Sequence, residues 1–117
     1  MNNTPQTRFL GTLGLAARAR KTACGTQNVC EALKAGKAKL VVMACGLSGA
    51  TEKRITDRTA FYKVELIKTN IEPLDLAMAV GRASDISSVA VLDEQLAKAV
   101  KASAEKNLGK VEPSENN

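Results

Sequence analysis

Three short apolar runs, set between segments of helical spacing, constrain this chain more than any other feature of it. The runs are Leu40-Val41-Val42-Met43-Ala44, Val64-Glu65-Leu66-Ile67-Lys68 and Ser88-Val89-Ala90-Val91-Leu92. The first is continuously apolar and reads as a buried central strand covered on both faces, and the other two read as further strands. Before and between them, apolar residues recur at helical spacing: Phe9, Leu10, Leu13, Ala16 and Ala17, then Val29, Ala32 and Leu33. Gly25-Thr26 opens the second helix and Gly36 closes it. Ser48 to Thr51 offers caps for a third helix ending near Phe61 and Tyr62, and Pro73 suits the first turn of a fourth that stops at Gly81. Asp93 caps a last helix, and Lys21 to Cys24 is a short edge strand. Gly11 and Gly14 weaken the first helix but allow another element to approach it closely. The alternation predicts an α/β fold, a three-layer α-β-α sandwich around a small mixed four-stranded sheet.

With 117 residues, of which 44% are hydrophobic, the chain suits one domain with a true core. Residues 1–103 are expected to form it, after a loose stretch from Met1 to Thr7, and the polar residues 104–117 to form an unstructured tail. Phe9, Phe61 and Tyr62 are the only aromatics, so the core rests on aliphatic side chains. So few rings also argue against a binder that stacks single-stranded bases.

Several function classes are disfavoured by what the sequence lacks. It contains no histidine, no phosphate-loop lysine pattern and no nucleophile elbow. Gly11-Thr12-Leu13-Gly14 falls inside a helix rather than after a strand, and is no phosphate loop. Cys24, Cys30 and Cys45 form no framework, and without histidine they make no usual zinc site. A thiolate at Cys24 would gain from the nearby helix start, but small, buried, reduced cysteines are the better reading for all three. We therefore expect no enzyme, no metal and no cofactor. No apolar run reaches membrane-spanning length and no signal segment opens the chain, which points to the cytoplasm.

The net charge of +5 is unevenly placed: from Arg8 to Glu52, every charged residue is basic except Glu31 and Glu52. Arg18, Arg20 and Lys21 crowd the end of the first helix, where its dipole favours cations and where phosphate would also bind. The start of the second helix is the most informative segment. Its free backbone N–H groups can hold a phosphate or a base edge. Gly25 permits close approach, Thr26 can cap, and Gln27 and Asn28 carry donors and acceptors together. Lys21, Lys34, Lys37 and Lys39 are expected to surround this segment with positive charge. Binding to structured RNA is the leading expectation. A protein-interaction module on the same fold is the alternative, and an enzyme a distant third.

Further residues sharpen the expectation. These are Leu13-Gly14-Leu15-Ala16 with Arg18 and Lys21, and Gly25-Thr26 at the helix start. They continue with Gly36-Lys37-Ala38-Lys39-Leu40-Val41-Val42-Met43-Ala44, and with Ala79-Val80-Gly81 followed by Ser87-Ser88-Val89-Ala90-Val91. In that order, from about Phe9 to Lys101, the chain resembles the kink-turn RNA-binding family of ribosomal proteins, the L-seven-Ae and L-thirty-e type, and most of all its small bacterial YlxQ-like members. The resemblance implies a single-domain monomer, when free, that binds a sharply bent kink-turn or ribosomal RNA. It implies contact through Gly25, Thr26, Gln27 and Asn28, with Arg18, Lys21, Lys34 and Lys37 as basic support. Arg82 and Ile86 would lie on a second contact loop, with Ile86 against an extruded nucleotide. Family members typically carry Asn then Glu at the positions of Gln27 and Asn28, and a lysine at that of Glu31. At this surface the chain departs from the pattern.

Overall fold

The computed structural model describes residues 4–109. Thr4 caps the first helix, α1 (Pro5–Arg18), by accepting from the Thr7 N–H, and Pro5 fits its first turn. The helix therefore begins four residues before Phe9, its first apolar anchor, and only Met1 to Asn3 of the stretch expected to be loose lie outside the described residues. β1 (Thr22–Cys24) follows, then α2 (Thr26–Lys34), β2 (Leu40–Met43), α3 (Gly49–Phe61) and β3 (Leu66–Lys68). α4 (Pro73–Ala79), β4 (Ser88–Val91) and α5 (Glu94–Asn107) complete the chain. β3 starts later than its apolar run because Lys63, at φ 59°, closes α3 and the Val64 N–H still bonds back to the Thr59 carbonyl.

The strand order is β1-β4-β2-β3. β4 is antiparallel to both β1 and β2, and β2 is parallel to β3, so the sheet is mixed, with β1 at one edge. Successive side chains of a strand face opposite sides. Val41, Met43, Leu66 and Ala90 point into a layer with Val29 and Leu33 of α2 and Ile55 of α3. Leu40, Val42, Ile67, Val89 and Val91 point the other way, onto Phe9 and Leu13 of α1, Leu76 of α4 and Val100 of α5. That is the expected three-layer sandwich.

α5 runs past residue 103, where the polar composition suggests a tail. Ala104 is fully buried one turn after Val100. The polar residues here join helices: the Ser103 hydroxyl accepts from Thr12 Oγ1 and Asn107 Nδ2, and Arg8 Nε donates to Asn107 Oδ1. Residues 110–117 lie outside the described part. α1 and α4 meet at Gly14, where a Cβ would stand 2.9 Å from the Ala79 carbonyl oxygen. Of the cysteines, Cys24 and Cys30 are buried, but Cys45 is half-exposed. It sits past the end of β2, in the bend before α3, with Sγ 4.0 Å from Glu72 Oε2.

Candidate nucleic-acid interface

β1 delivers the chain to Gly25, whose φ of 94° and ψ of 156° suit glycine alone. This residue is the N-cap of α2, so no side chain caps the helix. The helical ladder starts only with the Val29 N–H to the Gly25 carbonyl. The N–H groups of Thr26, Gln27 and Asn28 are the free donors of a first turn. Thr26 was expected to cap; it is instead the first helical residue, and its hydroxyl lies 2.6 Å from that of Ser87.

That contact belongs to a small serine-centred junction. The Gly25 N–H donates to the Ser88 carbonyl at 2.9 Å, the Ser87 and Ser88 hydroxyls are 3.0 Å apart, and the Ala44 N–H donates to the Ser87 carbonyl at 2.8 Å. The start of α2 and the end of the 82–87 loop are thereby fixed beside each other. Ile86 is half-buried, its side chain against the core and its N–H 3.3 Å from the Pro73 carbonyl. Arg82 is exposed, and its N–H bonds to the Ala77 carbonyl. Ser87 was not among the candidate residues. Its only sequence signal is a pair of serines heading an apolar strand.

The two amides are partly engaged. Asn28 Nδ2 donates to the Cys24 carbonyl at 2.9 Å, across the gap that a capping side chain would fill. Gln27 Nε2 donates to Glu31 Oε2 at 3.3 Å, one turn along. Among the described residues, neither amide oxygen accepts a hydrogen bond.

The ribosomal protein L7Ae/L30e/S12e/Gadd45 family matches this chain over residues 7–101, a span that includes α2 and the serine junction. The chain belongs to that family. It is 35% identical over 85 residues to the RNA-binding protein YlxQ of Bacillus subtilis (strain 168), covering 73% of this chain and 83% of that protein. A protein of unknown function from Bacillus halodurans C has a similar structure, with a TM-score of 0.76 and 26% identity, covering 84% of this chain and 97% of that one.

For a member of the L7Ae/L30e/S12e/Gadd45 family, the remaining candidates are unexpectedly distributed. Lys34 is in the last turn of α2, about 12 Å of helix rise from Thr26. Lys37 follows Gly36, past the end of α2, with its N–H bonded to the Ala32 carbonyl. Lys21 precedes β1, and its carbonyl accepts from the Leu92 N–H beyond the end of β4, so it stands at the other end of the sheet from Gly25. Arg18 ends α1, with Nη1 3.7 Å from where a Gly14 Cβ would be, in a groove shared with Asp75 and Met78 of α4. The expected ring of lysines around Gly25-Thr26-Gln27-Asn28 is therefore not assembled there. On the 82–87 loop Arg82 is offset by Asp85, and α2 contributes Glu31. Among the described residues, no helix is long and apolar enough to cross a membrane, and no His/Cys/Asp/Glu group could hold a metal ion.

Proposed function

We infer that this chain is a cytoplasmic RNA-binding protein, monomeric when free, that recognises a kink-turn or similarly bent RNA in a ribosome-associated setting. The observation that carries this reading is the serine junction. It holds the uncapped first turn of α2 beside the end of the 82–87 loop, the loop that carries the half-buried Ile86. Regular A-form RNA closes its major groove to side chains, whereas a sharp bend opens it and extrudes a nucleotide. The N–H groups of Thr26, Gln27 and Asn28 and the oxygens of the two amides suit exposed base edges, and Ile86 suits the extruded base. Family membership and the RNA-binding relative support the same reading.

A gel shift tests it, using a kink-turn RNA and a straightened duplex of the same composition at several salt concentrations. The bent RNA should bind more tightly, and Gln27→Ala or Ile86→Ala should reduce that preference about five- to tenfold. Equal, weak binding of both RNAs rejects kink-turn recognition. The engagement of Gln27 with Glu31 favours a second reading, a protein-interaction module that keeps the fold. Pull-down after nuclease treatment separates the two: partners that vanish with the RNA argue against the module.

A further inference from the structure

Strand polarity gathers the cations that are missing from the α2 start. β1, β2 and β3 all begin at the end of the sheet where β4 finishes. α1, α2 and α3 each precede one of those strands, so all three helices finish at this same pole, away from Gly25. The α1 exit carries Arg20 and Lys21; the α2 exit carries Lys34, Lys37 and Lys39; the α3 exit carries Arg58 and Lys63. All are exposed.

A helix dipole stabilises cations within its last turn, which accounts for Arg18, Lys34 and Arg58. It does not account for Arg20, Lys21, Lys37, Lys39 or Lys63, which lie beyond the last turns. Nor do ion pairs, since none of these five has one among the described residues. Of the carboxylates at this pole, Glu94 is exposed at the start of α5 and lines a groove with Lys39, while Glu65 and Asp93 are committed elsewhere. Glu65 pairs with Lys101 at 3.0 Å and, by accepting its hydrogen bond, holds that ammonium above its ordinary pKa. Asp93 Oδ2 accepts from the Leu96 N–H as the cap of α5. The seven cations on these exits face three carboxylates, Glu65, Asp93 and Glu94, so this pole carries most of the chain's net charge of +5.

Two backbone bonds fix part of the array. The Leu92 N–H donates to Lys21 and the Lys39 N–H to Val91, both at 2.8 Å, so the two lysines flank the end of β4. Their backbones are about two strand spacings, roughly 10 Å, apart. At the same pole Phe61, the last residue of α3, is 75% exposed. Tyr62 holds it edge to face, with centroids 4.8 Å apart and planes at 86°, and Tyr62 itself packs on the core. In a chain with three aromatic residues, one ring is thus braced on the outside at the pole that carries these lysines.

We propose that this pole is a second RNA contact, a surface for single-stranded RNA in which the lysines track phosphates and Phe61 stacks a base. Stacking on an aromatic ring beside cationic side chains is the general solution for single strands, and the exposed Phe61 supplies the ring that the scarcity of aromatics argued against. This proposal does not depend on kink-turn recognition, because the two surfaces lie at opposite ends of the sheet.

Fluorescence anisotropy with a labelled oligouridine of about ten nucleotides tests it, a length within the range of one such site. The native protein should bind with a clear salt dependence. Lys37→Glu with Lys39→Glu should weaken binding at least tenfold and flatten the salt slope by about 1.4, the single-strand value for two lost phosphate contacts. A charge-matched pair at the other pole, Lys68→Glu with Lys106→Glu, should leave most of the slope. Phe61→Ala should lower affinity about five- to hundredfold at unchanged slope, and Phe61→Tyr should restore it. These side chains are exposed, so unchanged far-ultraviolet dichroism is expected throughout. Three results overturn the proposal: no oligouridine binding at low salt, indifference to Phe61→Ala, or equal flattening by the two charge pairs. Oligouridine failure with an intact preference for the bent duplex removes this surface alone, and the converse removes only the α2 surface.

Discussion

Gly11 and Gly14 share a helix, yet the surroundings reverse what an added methyl should do. A Cβ on Gly11 meets nothing within 4 Å, so Gly11→Ala should raise stability by up to about 1 kcal/mol through helix propensity. A Cβ on Gly14 would collide with the Ala79 carbonyl, a backbone atom, and Gly14→Ala should cost about 1–3 kcal/mol. Urea unfolding of the two variants checks the pair, which requires opposite signs. Gly25 is constrained differently again, because space is open around it and only its φ of 94° resists a side chain. The hydroxyl contact between Thr26 and Ser87 can be tested by Thr26→Val, Ser87→Ala and the double variant. Each single change should cost about 1 kcal/mol, and the double change less than the sum. Gly25 as a helix start and Gly14 as a place of close approach are legible in the sequence, because each is a local property of backbone and side chain. The partner of Thr26 is not, since it lies 61 positions away and is chosen by the pairing of β1 with β4.

α2, α3 and α5 begin in unlike ways. Ser48 accepts from the Thr51 N–H and Asp93 from the Leu96 N–H, whereas Gly25 leaves α2 with no side-chain cap. Asp93→Ala should therefore destabilise the domain by about 1 kcal/mol in thermal or chemical unfolding. In hydrogen exchange, the first-turn amides of α2 should exchange faster than those of α3 and α5, and bound bent RNA should slow them selectively. Element order and the apolar strands can be read from periodicity. Helix ends are harder, as α1 and α5 show. Thr4-Pro5 is a start signal hidden in a polar stretch, and Ser103 and Asn107 look like tail residues until α1 is packed beside them.

Viewed whole, the molecule separates neutral recognition from charge. The α2 start offers backbone donors and amides with Arg82 as the cation of its loop, so its complex with bent RNA should depend only weakly on salt. Arg82→Ala should lower the log–log slope by about one. The basic residues are plain in the sequence, but the pole to which they go is not, because that follows from strand direction and order. The core has one more consequence. Cys24, on the sheet, is 6% exposed and Cys30, on α2, 4%, while Cys45 is half-exposed. In native protein a thiol reagent should modify Cys45 first, and Cys45→Ser leaves two thiols shielded by different elements. Their modification rates then become a two-channel gauge of breathing: if α2 lifts from the sheet before the domain opens, Cys30 reacts ahead of Cys24, and if the fold opens all at once, the two react together.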